Sequence, residues 1–385
     1  MIAKIYFGIL PVFLVLGALF QGIRISGSFE RFAPIYFGAW QLFDILLLLY
    51  IKPHISKRTV CIFLLLSFSL ILGLSNYKFN RHTASDFANP LIFFLKIDIM
   101  ISIIKSAKYD ILRYIRYFVK TVVLLCIPTL FYTLYIIYSA GRSRIAIAPP
   151  LEIPFSYCLS LLRLKESVFV FIGIVAFGQR ACLIGGFFSF LFSLFYYSFA
   201  SKVKAVIIIL CTVFIIISYF GENPTIQRFL NTFKTSFDDI EEVNKTSAGR
   251  LEEIECGLDT LKHWGEYVVG KGCGMYFELN YREEVSYQVH FSPLCFLLKY
   301  GIVFTFLTYY YLFRGVYLGL RKKQNDNKDM SVIMKTITLS LASYLIESIF
   351  SYMLLTSIVP FLLAYIFYYS LEHANAPETL YKELT

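Results

Sequence analysis

Lys57-Arg-Thr-Val-Cys-Ile-Phe-Leu-Leu-Leu-Ser-Phe-Ser-Leu-Ile-Leu-Gly-Leu-Ser-Asn76 carries two cations at one end and no charge after them. A helix rises about 1.5 Å per residue and satisfies its own backbone groups, so an apolar stretch of this length spans most of a bilayer core of about 30 Å. The stretch predicts a transmembrane helix over 59–75, with Lys57 and Arg58 on the cytoplasmic side, because short cytoplasmic loops retain Lys and Arg. Comparable runs recur at 5–23, 33–51, 89–104, 117–139, 180–200, 203–220, 291–316, 331–350 and 352–370. Of the 385 residues 57% are hydrophobic and 16% charged, and the mean hydropathy is +0.64, outside the range of soluble domains. The expected fold class is an all-α, polytopic integral membrane protein, with 1–385 forming a single transmembrane domain.

The net charge of +10 does not gather into a nucleic-acid-binding surface. Its cations punctuate the gaps between spans: Lys52, Lys57 and Arg58, then Lys105, Lys108, Arg113 and Arg116, then Lys202 and Lys204, then Arg321, Lys322 and Lys323. These clusters set the cytoplasmic side, and the remaining loops follow by parity. The chain between 117 and 204 starts and ends inside, so 140–179 crosses twice or not at all. The apolar run Val168 to Phe177 favours a hairpin of short legs, 151–164 and 166–178, turning at Arg163, Lys165 and Glu166 and accommodated by local thinning or tilt. The total is about twelve spans with both termini cytoplasmic. The first run follows Lys4 but contains Pro11 and lacks a small-x-small site before Arg24, so it reads as a retained span.

One gap is unlike the others. Residues 221–290 are polar, and parity places them outside. Within them Leu251, Ile254, Leu258, Leu261 and Trp264 recur at helical spacing while Glu252, Glu253, Asp259 and Lys262 fall opposite, which predicts an amphipathic helix near 248–264. Thr246 or Ser247 would cap it and Gly265 would end it. Gly270, Gly272 and Gly274 follow as a turn-rich segment that opens no evident helix, so a nucleotide loop is not expected there. Most of the 8 cysteines lie in apolar runs. Cys256 and Cys273 fall in this outer loop, where an oxidising compartment would permit a disulfide.

No Walker loop, HExxH, CxxC or Asp-x-Asp pair is present. The candidates for chemistry are outward-facing: Arg180 at the start of a span, Arg250 at a helix start, and His290 where the loop re-enters the membrane. An arginine beside free helix N–H groups suits a phosphate or diphosphate, and an imidazole titrates near neutrality and serves as a general base. The bland alternatives are interfacial snorkelling for Arg180, solvation for Arg250 and a boundary role for His290. Arg142 and Arg144, in a short outer loop, are secondary candidates for substrate contact. Asp44, Lys96, Asp98 and Glu347 lie within spans, where charge is expensive. Pairing of Lys96 with Asp44 or Glu347 is the structural expectation for them.

The order Gly178-Gln-Arg180, Gly249-Arg250, Trp264, Gly270-Lys-Gly-Cys-Gly274, His290 and Leu297-Leu-Lys-Tyr-Gly301 resembles the O-antigen polymerase and O-antigen ligase superfamily from about 178 to 302. The N-terminal half resembles it only in hydrophobicity and in Asn89-Pro-Leu before a span. The resemblance implies a bacterial inner-membrane glycosyltransferase that needs no metal or other cofactor. Its partners would be an undecaprenyl-diphosphate-linked glycan donor and acceptor, membrane lipids and a chain-length regulator protein, with the active site facing the periplasm. Arg180 and Arg250 would hold the diphosphate, and His290 would act on the acceptor hydroxyl. Ligases of the superfamily often carry a His-x-His-Asn-like stretch where this chain has Val289-His-Phe-Ser292, which favours a polymerase acting in lipopolysaccharide biosynthesis. A ligase delivering glycan to lipid A core is the alternative. A lipid-oligosaccharide flippase is the third reading, opposed by the absence of repeated halves and by the long outer loop.

Overall fold

The computed structural model describes residues 2–24, 32–107, 111–139, 150–176, 180–221, 227, 249–280, 284–321, 328–350 and 358–372. In chain order the helices are α1 (Ile2–Arg24), α2 (Phe32–Ile51), α3 (Lys57–Asn76), α4 (Arg81–Ala107), α5 (Ile111–Ser139), α6 (Glu152–Ser160), α7 (Leu164–Ala176), α8 (Arg180–Ser193) and α9 (Phe199–Phe220). The polar segment expected to lie outside, here called the outer segment, contributes α10 (Arg250–Asp259), α11 (Trp264–Val269) and an antiparallel hairpin of β1 (Phe277–Leu279) and β2 (Glu284–Ser286), in which Glu278 faces Val285. The chain then forms α12 (Ser292–Arg321), α13 (Lys328–Phe350) and α14 (Val359–Phe367), which runs into one π-helical turn, Tyr368–Glu372. The protein is therefore an all-α membrane protein. Among the described residues five helices are long and apolar enough to cross a membrane: α3, α4, α5, α12 and α13.

Packing follows the apolar composition. α13 lies along α8 and α6, α1 along α5, and α4 between α3 and α14. Phe7, Phe118 and Phe361 knit α1, α5 and α14 together, with Phe361 at 5.6 Å and 4.8 Å from the other two rings. The charges within the spans are neutralised locally. Lys96 meets Asp44 at 2.6 Å, the cross-bundle pair expected from the cost of isolated charge. Asp98 instead takes Arg58 at 2.9 Å, and Cys182 donates to Glu347 at 3.1 Å.

Several sequence expectations are corrected. α4 starts at Arg81, eight residues before the expected 89, because Asn80 Oδ1 accepts the His82 and Thr83 N–H groups and caps the helix. The hairpin after 150 exists, with its turn at Leu161–Arg163 and Leu162 at φ 58°. Its legs are shorter than expected: nine residues of α6 are about 14 Å long and the thirteen of α7 about 20 Å, both less than a bilayer core. α8 ends at Ser193 and continues only as a 3₁₀ turn to Tyr196, short of the expected 200. Residues 351–357 lie outside the described set, and α14 begins at Val359.

The expected single span 291–316 is two helical arms. Gly301 breaks α12 with φ 79° and ψ 177°. Thirteen residues of straight helix measure about 20 Å, yet the rings of Phe296 and Tyr309 are 6.3 Å apart. The Tyr309 hydroxyl also faces the side chains of Ser292 and Ser348. The chain therefore rises from Ser292 to Tyr300, reverses at Gly301 and descends to Arg321.

The amphipathic helix near 248–264 is also revised. α10 ends at Asp259, Trp264 opens a separate helix at 81% exposure, and Glu252 and Glu253 are the buried residues, beside Cys256 and Gly257. Glu252 and Glu253, assigned to solvent, turn inward for a reason that lies at the site, whereas Asp259 and Lys262 are exposed and Leu261 is buried as expected.

Candidate functional site

The outer segment is fastened to the bundle by backbone. Lys271 N–H donates to Leu298 O at 2.7 Å, Gly272 N–H to Lys299 O at 3.0 Å and Cys273 N–H to Ser69 O at 3.0 Å. Gly274 N–H donates to Asp86 Oδ2 at 2.9 Å. A Cβ on Gly272 would stand 2.3 Å from the Gly73 nitrogen, so the segment lies directly on the α3 backbone. The run from Gly270 to Gly274 is a packing strap, which accounts for its glycines without any phosphate.

Beneath the strap lies an ion pair absent from the sequence candidates. Lys299 Nζ donates to Asp86 Oδ1 at 2.7 Å, and their side chains are 2% and 4% exposed. Tyr300 donates its hydroxyl to Asp86 O at 2.7 Å, and Ser69 Oγ donates to Lys299 O at 2.9 Å. Both Asp86 carboxylate oxygens and the Lys299 ammonium are thereby engaged, the condition under which a buried pair is tolerated. A row of rings closes the outer edge: His82 stacks on Tyr287 at 3.9 Å, and tilted contacts run from Tyr287 to Tyr276 at 5.8 Å and from Tyr276 to Tyr77 at 5.5 Å. Burial, first, with the neighbouring Tyr276 and Glu266, raises the Tyr77 phenol above its ordinary value.

His290 stands at the other side of this platform. Its Nδ1 is 2.7 Å from Glu253 Oε2, and its backbone N–H donates to the same oxygen at 3.1 Å. Two contacts to one carboxylate fix both the ring and the chain at this point. Glu253 is 5% exposed and the His290 side chain 51%, so the carboxylate is sealed while the ring remains open to an entering molecule. This is an imidazole oriented by a buried acid, the arrangement that fixes the tautomer of a proton-transfer group. An apolar cluster holds it, with Cys256 of α10, Phe277 and Leu279 of β1, and Val289, Cys295 and Leu298 around the rising arm.

Arg250 is the first residue of α10 and is half-buried. It lies three residues from Glu253, hence on the same helix face. Arg180 is the first residue of α8; its side chain lies outside what the structure describes, as do Arg142 and Arg144 entirely. The described residues pair His290 with Glu253, and Arg250 begins the helix that carries Glu253.

Sequence reasoning missed Glu253, Asp86 and Lys299. Lys299 in an apolar run was a signal, whereas Asp86 lay before the expected start of its span. Cys256 and Cys273 are separate, buried thiols. Burial pushes the Cys273 thiol up to about 11, which keeps it protonated and unreactive. Glu152, Cys182 and Glu347 present ligand atoms within 4.8 Å of one another inside the bundle, the one described group with the donor set for a metal. Neither a family model, nor a curated protein, nor a solved structure matches this chain.

Proposed function

We propose that the chain is an O-antigen polymerase, a glycosyltransferase that joins undecaprenyl-diphosphate-linked repeat units at the periplasmic face of the bacterial inner membrane. In this reading about twelve spans carry the site, both termini are cytoplasmic and residues 221–290 are periplasmic. The observation that carries it is the Glu253–His290 pair, with its imidazole open and its carboxylate sealed, on a helix that Arg250 begins.

The chemistry follows from those groups. The unsubstituted nitrogen of His290, Nε2, accepts the proton of the acceptor hydroxyl as that oxygen bonds to the donor's anomeric carbon. The glycosidic carbon–oxygen bond breaks, and its electron pair leaves with the lipid diphosphate. Glu253 stabilises the imidazolium that forms. Arg250, together with Arg180, meets the growing negative charge on the leaving diphosphate, where a fixed cation lowers the barrier most. No step calls for a nucleotide.

The test is a reconstituted assay with purified lipid-diphosphate repeat unit and no added metal or nucleotide. Wild type should form polymer. His290→Ala should lower the rate by about 10²–10⁴-fold, the usual contribution of a positioned base, and Arg250→Ala should also abolish long chains at normal membrane levels. Wild-type polymer from both variants would refute the site. In cells, gene loss should leave a single repeat on the core; a core with no repeat would assign the ligase reaction instead.

A further inference from the structure

A second charged site lies at the other end of α3, and it is independent of the transferase reading. Ser69 and Gly73 meet the outer strap, whereas Arg58 lies eleven residues earlier, about 17 Å along the helix. There the first turn of α3, the middle of α4, the descending arm of α12 and the end of α14 enclose a cavity of about 350 Å³. Its lining includes Lys57, Arg58, Arg314, Tyr311, Phe367 and Tyr368. Among the described residues no carboxylate lines it.

The nearest acid is consumed. Asp98 stands behind Arg58, and its Oδ1 accepts from Arg58 Nη2 at 2.9 Å. Its Oδ2 accepts from Ser56 N at 3.0 Å, Ser56 Oγ at 3.1 Å and Thr59 Oγ1 at 2.6 Å. One carboxylate therefore balances one of three cations and leaves Lys57 and Arg314, both exposed, without an acid among the lining residues.

Arg58 is also held rigidly. Its guanidinium carbon lies 5.4 Å from the ring centres of both Tyr311 and Phe367, a double cation–π contact. Its side chain is 12% exposed, and its Nε–H is buried with no acceptor among the described residues. The wall beside it is apolar, built by Ile101, Tyr311 and Phe367, and Tyr368 begins the π-helical turn, a local distortion that recurs at binding sites.

We propose that this cavity binds the phosphate headgroup of an anionic membrane lipid, with the phosphate oxygens on Lys57 and Arg314 beside the Arg58 guanidinium and the hydrocarbon against the apolar wall. The basic clusters make this the expected cytoplasmic end, the leaflet face where anionic headgroups attract Lys and Arg.

The experiment uses the full chain purified in detergent and native mass spectrometry with phosphatidylglycerol or phosphatidylcholine. Phosphatidylglycerol should be retained in preference. Lys57→Ala/Arg314→Ala removes two exposed cations without touching the Arg58–Asp98 pair and should weaken that retention roughly tenfold or more. Arg58→Lys keeps a charge for Asp98, removes the planar guanidinium held against Tyr311 and Phe367 in the cavity wall, and should also weaken it. Lys202→Ala/Lys204→Ala, outside the cavity, should leave it unchanged. Displacement of the lipid by millimolar inorganic phosphate would support the same contacts and assign them to the free anion. Equal retention by wild type and the Lys57/Arg314 variant, or of both lipids by wild type, would overturn the proposal.

Discussion

Two acid–base pairs of the same length stand at the junction between the outer segment and the bundle, and they differ in what surrounds them. Asp86–Lys299 and Glu253–His290 are each 2.7 Å apart. In the first both side chains are sealed; in the second the acid is sealed and half of the ring is open. A pair shut away from solvent on both sides fastens the structure, because neither member can be separated from the other without a large desolvation cost. A pair sealed on one side holds its base in place and still presents it to a substrate. Exposure of one partner separates the structural role from the chemical one.

The largest expected effect is on the sealed pair. Asp86→Ala strands the Lys299 ammonium and the Gly274 N–H in a dry site, and should cost about 3–5 kcal/mol of stability, read as a lowered melting temperature in detergent. The rate per folded molecule should hold. A rate loss at an unchanged melting temperature would place Asp86 in the chemistry and remove the distinction. The converse variant is Glu253→Gln. It keeps the shape and removes the charge that supports an imidazolium, and should lower transfer on the order of a hundredfold, about 2.7 kcal/mol of barrier, with the melting temperature near that of wild type. Unchanged turnover there would reduce Glu253–His290 to a second fastening.

The reversal at Gly301 sets the height of both pairs, since Lys299 lies on the rising arm and His290 two residues before its start. Gly301 has φ 79°, and a Cβ on it would lie 2.1 Å from Val268 O. Gly301→Ala should cost about 2 kcal/mol or more and, by shifting the arm, lower both stability and rate. A variant that lost only one of them would show that the two pairs do not share the arm's position.

How much of this was legible in the sequence depends on which force decides each feature. The membrane class was readable because it follows from hydropathy summed over long runs such as 59–75. Lys96 could be matched to Asp44 because isolated charge within a span is expensive. The face of α10 was not legible. Periodicity assigns Leu258 inward and Glu253 outward, yet Glu253 is held inside by His290, 37 residues later, and a local pattern carries no information about a partner that distant. The break in α12 was hidden for a related reason. Leu297-Leu-Lys-Tyr-Gly301 reads as continuous helix, and nothing in it announces the end of α11, whose Val268 backbone lies against Gly301 where φ is positive. Of the candidate site, His290 and Arg250 were singled out by residue type and position, whereas the carboxylate that holds His290 emerged only from the fold.

A third pair at the same junction extends the series to the solvent side. Lys271 donates to Glu266, and the Lys262 and His263 N–H groups reach the same carboxylate. The lysine's hydrogen bond, more than the helix-start N–H groups, holds the Glu266 carboxyl below its ordinary 4.5. A carboxyl with a depressed folded value stabilises the native state above its unfolded value and loses that contribution as pH falls through the folded one. Both side chains keep solvent contact, so screening limits the pair to under about 1 kcal/mol. Lys271→Ala should therefore melt slightly below wild type at about pH 6, converge with it once Glu266 is protonated, and lose most of the difference in high salt. A gap that persisted in acid or in salt would mean that Lys271 acts through its packing on the strap, and the ordering of the three pairs by exposure would fail at its weakest member.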